Sequence, residues 1–90
     1  MDDNIVKATE EERLQERLSQ LAISATGFLF DPQTGQSYTL NRTGVLALEC
    51  LRRGSSIERA ADCLCQEYDV TPEVALSSVE AFVLQLRRYL

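Results

Sequence analysis

The sequence has 90 residues, enough for one domain, with 44% hydrophobic and 26% charged residues, the balance of a soluble globular protein. Its net charge of −5 argues against nucleic acid as a partner, because neutralising phosphates supplies most of that affinity, and it has no histidine, the commonest general base and metal ligand. Apolar runs are far shorter than the roughly 18 residues that a membrane span needs. The opening MDDNIVKATEEE has neither the basic nor the apolar region of a signal peptide, so the expected address is the cytoplasm.

Residues 1–18 are expected to form a mobile acidic segment, carrying Asp2, Asp3, Glu10, Glu11, Glu12 and Glu16. Within it, residues 9–18 have helix-forming composition, with Thr9 and Glu12 in capping-box spacing and Leu14, Leu18 and Leu21 at intervals of four and three. Residues 20–31 then read as extended chain, with Phe28 and Phe30 on one face and a bend or bulge at Gly27. Asp31-Pro32-Gln33-Thr34-Gly35 is a hairpin turn. Asp favours its first position, Pro presets φ at the second and Gly takes the left-handed exit. The return strand is 36–40, with Tyr38 and Leu40 sharing a face.

Asn41 is suited to cap a helix over 43–53 that is almost apolar all round, and Gly54 ends it. Ser55 or Ser56 caps a second helix, whose Ile57, Ala60, Ala61, Leu64, Cys65 and Tyr68 make a one-sided stripe. Thr71-Pro72-Glu73 opens the last helix. Ala75, Val79, Phe82 and Leu86 form its centre, Leu76, Val83 and Leu90 widen one flank, and Tyr89 widens the other. The predicted architecture is α+β: a small three-stranded antiparallel sheet followed by three helices, a winged-helix-turn-helix-like domain over 19–90.

Little in this chain points to catalysis. Cys63 and Cys65 are two apart on a helix and do not face each other, and with Cys50 as the only other thiol no four-ligand zinc site can be assembled from soft ligands. The cysteines read as small hydrophobes in or beside the core, with Cys63 turned away from the buried stripe. Asp31, Glu58 and Glu73 are explained by a turn and two helix starts. No glycine-rich phosphate loop exists, and no serine has a base to activate it. The expectation is no enzyme, no cofactor and no metal. What remains is a surface. The 36–40 strand has no lysine or proline to block pairing, and it lies in a chain whose last helix is wider in apolar residues than one small sheet requires. Such a pair can accept an added peptide strand, unless the surplus is buried by the N-terminal segment or by a second copy of the chain.

Several short patterns occur in a fixed order: Gly27-Phe28-Leu29-Phe30-Asp31-Pro32 with Thr34-Gly35, then Tyr38-x-Leu40-Asn41-x-Thr43-Gly44, then Leu48-x-x-Leu51-x-x-Gly54. They are followed by Ile57-x-x-Ala60-x-x-x-Leu64, Tyr68-Asp69-Val70 and Val79-x-x-Phe82-x-x-x-Leu86. In this order and spacing the stretch from 27 to 90 resembles the PqqD-like family, and most of all its small stand-alone peptide chaperones found beside HPr-kinase-related proteins. The resemblance implies a non-catalytic recognition element that binds the leader of a ribosomally made precursor peptide and presents it to a modifying enzyme, such as a radical-SAM or kinase-related protein. It implies that the leader adds a strand to 36–40 and rests on the last helix, with Ser37, Tyr38, Thr39, Leu76, Val79, Glu80 and Val83 as contacts. The chain departs from the members that act in pyrroloquinoline quinone synthesis. The proline-glutamate segment before the third strand is missing, Ser78 stands where an aspartate is usual, and Tyr89-Leu90 replaces the terminal glycine. The competing readings are a winged-helix DNA binder, whose recognition helix 72–89 would carry arginines only at its far end, at Arg87 and Arg88, and a structural subunit that dimerises through its strand edges.

Overall fold

A computed structural model describes residues 9–90; of the expected N-terminal segment, 1–8 lie outside the described residues. Seven elements follow one another: α1 (Glu10–Ser19), β1 (Ala22–Ile23), β2 (Phe28–Asp31), β3 (Gln36–Thr39), α2 (Arg42–Arg52), α3 (Ile57–Glu67) and α4 (Pro72–Tyr89). The fold is α+β, with three antiparallel strands in the order β1-β2-β3 followed by helices. Among the described residues three helices follow the sheet, as expected, and one precedes it, within the 9–18 stretch of helix-forming composition. None of the described helices is long and apolar enough to cross a membrane.

The local signals act as their chemistry requires. Thr9 caps α1 through a complete capping box, in which its hydroxyl accepts from the Glu12 N–H at 3.1 Å and the Glu12 carboxylate accepts from the Thr9 N–H at 2.8 Å. That donation holds the Glu12 carboxyl below its ordinary pKa. Asn41, Ser56 and Thr71 cap the later helices through the side chain alone, each accepting from the N–H three residues on. Helix α2 ends in a Schellman motif, with the Ser55 N–H donating to the Cys50 carbonyl and the Gly54 N–H to that of Leu51.

Gly27 joins the first two strands to the end of the third. Its carbonyl accepts from the Leu40 N–H at 2.7 Å, its N–H donates to Ser24 and its φ is +92°. A Cβ at this position would collide with the Leu40 carbonyl oxygen. Only glycine meets both demands, the left-handed backbone and the close approach.

The core gathers Leu18, Leu21, Leu29, Leu48, Leu51, Leu64, Val79, Val83 and Leu86 between the helices and the inner face of the sheet. Leu14 and Leu18 of α1 belong to this packing, and Gln15 ties α1 to α2 by donating from Nε2 to the Arg52 carbonyl at 2.7 Å. Cys63, expected to turn away from the core, is half-buried and packs against it, because α2 covers that side of α3. Its neighbour Cys50 is a thiol pushed up to about 11, first by burial and then by the hydrogen bond with Cys63.

Among the described side chains the one buried charge is Asp31, fully buried at the end of β2. Its carboxylate accepts from both Arg17 guanidinium nitrogens, at 2.6 and 3.4 Å, from the Gln33 N–H at 3.0 Å and from the Thr34 hydroxyl at 3.1 Å. Asp31 therefore does more than the turn role expected of it, since it also fastens α1 to the hairpin. The Arg17 guanidinium holds the Asp31 carboxyl below its ordinary value of 3.8 against the opposing cost of burial, with Gln33 and Thr34 assisting.

Two outcomes follow from these contacts. Gly27→Ala is expected to lower unfolding stability by roughly 2 kcal/mol or more in a denaturant titration, from backbone strain alone before the collision with Leu40 is added. A depressed folded-state pKa at Asp31 means that its stabilisation is complete above the ordinary carboxylate value and is lost as pH falls through the lower folded value. The thermal midpoint of the parent chain should therefore drop below about pH 4. Asp31→Asn should start lower at neutral pH and lose that part of the acid dependence; an unchanged acid limb would show that the ion pair contributes nothing.

Candidate functional site

Strand β3 lies at the edge of the sheet, and no described strand pairs with its outer side. The register pairs Phe28 with Thr39, Leu29 with Tyr38, Phe30 with Ser37 and Asp31 with Gln36. The Leu40 N–H bonds to Gly27 across this ladder. Because bonded and non-bonded pairs alternate in an antiparallel ladder, Gln36, Tyr38 and Leu40 direct their backbone groups toward β2. Ser37 and Thr39 direct theirs outward. The free edge therefore offers two N–H groups and two C=O groups, those of Ser37 and Thr39.

The side chains divide the other way. Leu29 and Asp31 are buried on the inner face, together with half-buried Tyr38. Phe28 and Phe30 are exposed on the outer face, opposite Thr39 and Ser37. Helix α4 meets β3 through side chains: the Tyr38 and Tyr89 rings lie 5.8 Å apart, tilted by 53°. Between strand and helix runs a cleft made of two recesses that share Thr39, Leu40, Phe82 and Gln85. The narrower, about 160 Å³, is walled by Tyr38, Leu86, Tyr89 and Leu90 over Leu29 and is mostly apolar. The wider, about 370 Å³, is reached past Asn41 and Thr43 and is bordered on α4 by Ser78, Val79 and Ala81.

The expected contact residues fall into two groups. Ser37, Tyr38 and Thr39 lie on the open edge, and Val79 forms part of the floor of the wider recess, itself fully buried. Leu76, Glu80 and Val83 lie on the other flank of α4. Val83 is buried and borders a recess shared with Leu14 and Gln15 of α1, Leu51 is on the same wall, Leu76 is half-buried against the core, and Glu80 is exposed. The Leu76/Val83 flank thus packs against α3, and on the side of α1 it borders an open recess of about 450 Å³. The flank that borders β3 is Ser78, Phe82, Gln85 and Tyr89, a row at intervals of four, three and four. Its sequence signal was Tyr89, an aromatic on the side of the stripe opposite Leu76 and Val83.

The cleft combines polar and apolar side chains. Its lining holds hydroxyls, amides and aromatic rings, and among the described residues no three His, Cys, Asp or Glu side chains come together. Every buried side-chain polar atom among them has a hydrogen-bond partner. An arrangement of this kind can hold an extended chain, through backbone bonds along Ser37 and Thr39 and apolar side chains in the cleft.

The edge geometry fixes an amide-exchange pattern. In the free protein the Tyr38 and Leu40 amides should be protected from deuterium exchange, whereas those of Ser37 and Thr39 should exchange about as fast as loop amides. Equal protection along the strand, measured by NMR, would contradict an open edge.

Comparison with known proteins bears on the same stretch. Residues 27–89 match the family described as Coenzyme PQQ synthesis protein D (PqqD). Among solved structures, a "Lasso peptide synthetase B1 complexed with the leader peptide" is similar, with 30% sequence identity, a TM-score of 0.67, and coverage of 77% of this chain and 82% of that one. No curated protein matches at a significant level.

Proposed function

The chain belongs to the PqqD family, and from that premise we propose that it is a non-catalytic module that binds the leader segment of a ribosomally made precursor peptide and presents it to a separate modifying enzyme. The enzyme partner would be of the radical-SAM or kinase-related kind. The observation that carries the reading is the unpaired edge of β3 beside an apolar cleft, in a fold similar to that of a lasso peptide synthetase B1 that is complexed with a leader peptide.

The binding mode follows from the edge. A leader laid beside β3 exchanges backbone hydrogen bonds with Ser37 and Thr39, each contributing about 1 kcal/mol net. This part of the affinity is indifferent to sequence. Alternate side chains of the added strand then point into the cleft, against Tyr38, Phe82 and Tyr89, and these supply the sequence preference. The bound peptide also covers apolar surface that the free protein leaves open to water, including Tyr89, which is 58% exposed. The contact set for this reading is Ser37, Tyr38, Thr39, Phe82, Gln85 and Tyr89 over Val79.

A proline separates the backbone bonds from the fold. Ser37 sends its N–H to the outside of the ladder, so Ser37→Pro removes no bond to β2 but takes a donor from the edge and places a ring there. The variant should keep the circular dichroism spectrum and cooperative unfolding of the parent, and should lose roughly tenfold or more in affinity for a leader peptide. Undiminished binding by a folded Ser37→Pro chain would show that the peptide lies elsewhere.

A further inference from the structure

The cleft does not end at Tyr89. Leu90, which closes the narrower recess, also borders a smaller one of about 140 Å³ whose other walls are Arg13, Leu14, Arg17 and Arg87. Its position along the strand is fixed by the ion pair already described, because Arg17 binds Asp31 and Asp31 is paired in register with Gln36. The arginine recess therefore lies at the Gln36 end of β3, across Leu90 from the cleft, on the side where Arg87 also borders the recess of Val83; an added strand that leaves the cleft reaches it by passing over Leu90.

Three guanidinium groups surround this recess in a chain of net charge −5. Arg17 is neutralised by Asp31; Arg87 has no acidic partner among the described side chains, Arg13 pairs with neither Glu12 nor Glu16, and both are exposed. Arg87 is in the last turn of α4, where a cation complements the helix dipole. That account does not extend to Arg13, the fourth residue of α1, near the helix end where a positive charge gains nothing from the dipole. The two arginines come from opposite ends of the chain and converge over an apolar floor of Leu14 and Leu90.

We propose, building on the peptide-binding reading, that this recess is an acid-recognition subsite. Arg13 and Arg87 bind Asp or Glu side chains of the leader just beyond the end of the added strand that lies beside Gln36. Arginine suits the task, since its planar fork accepts a carboxylate through two parallel hydrogen bonds. Backbone pairing along β3 tolerates a slip in register by two residues, which returns the same side chains to the same face. A charge contact beyond one end of the strand removes that freedom. The subsite thus sets which residues of the leader enter the cleft, and so how far the segment to be modified stands from the module.

A random peptide display library selected against the full chain tests this, with the Arg13→Gln/Arg87→Gln double variant selected in parallel. The parent should enrich peptides with alternating apolar residues and, at a constant offset on one side only, one or more acids. The variant should enrich the same apolar pattern without the acids. For one enriched acidic peptide, fluorescence anisotropy should show the dissociation constant rising about threefold to tenfold in the variant, the range for two exposed ion pairs. Its dependence on sodium chloride should flatten. Replacing the peptide acids by Asn and Gln should weaken binding to the parent and leave binding to the variant unchanged. Enriched strands that need Ser37 but show no acid preference would overturn the subsite and leave the peptide-binding reading standing. Enriched peptides that bind the Ser37→Pro chain undiminished, or no enrichment at all, would overturn both.

Discussion

A single buried carboxylate organises this small domain. Asp31 has no exposed surface and is charged, a combination that is costly unless every lone pair is satisfied. Arg17, Gln33 and Thr34 supply the donors, and each does something structural in doing so. Gln33 and Thr34 shape the turn that brings β3 back along β2. Arg17 binds α1 to that turn, although 14 residues separate it from Asp31 in the chain. One charged group thus fixes the hairpin, the position of the first helix and the place where β3 begins.

The binding surface is a consequence of this arrangement rather than an addition to it. With α1 held against the hairpin turn and α2, Leu14 stands across a recess from Val83, and the opposite flank of α4, Ser78–Phe82–Gln85–Tyr89, lies beside the strand edge. A three-stranded sheet in a chain of 90 residues has to leave edges unpaired. Here the longer of them runs along a helix whose aromatic side chains reach across to it. The unmade backbone bonds of Ser37 and Thr39 and the unfilled apolar cleft therefore face the same ligand. The ligand that completes both is a strand.

Much of this was legible in the sequence, for reasons that were local. Thr9 and Glu12 fixed the start of α1, Asn41 and Thr71 capped the helices they precede, and the Asp-Pro-x-x-Gly turn set the hairpin. These are contacts within four residues, decided before any tertiary structure forms. The absence of lysine and proline from 36–40 correctly pointed to an open edge. The helix flank that borders β3 was less legible. Leu76 and Val83 look as available as Phe82 and Tyr89 when α4 is considered alone. Which side borders β3 depends on how α4 docks against the sheet, through contacts such as Tyr38 with Tyr89 that helical periodicity does not encode. The same limit explains Cys63. A helical wheel gives its direction on α3 but not that α2 lies there.

The account stands most directly on where a bound peptide lies. Intermolecular nuclear Overhauser effects between isotopically labelled protein and an unlabelled peptide enriched from a random display library would locate it. The account predicts contacts from the peptide backbone to the Ser37 and Thr39 amides and from its alternate side chains to the Tyr38, Phe82 and Tyr89 rings. Contacts confined to the outward-facing Phe28 and Phe30, or to the α1 side of α4 at Val83, would contradict it.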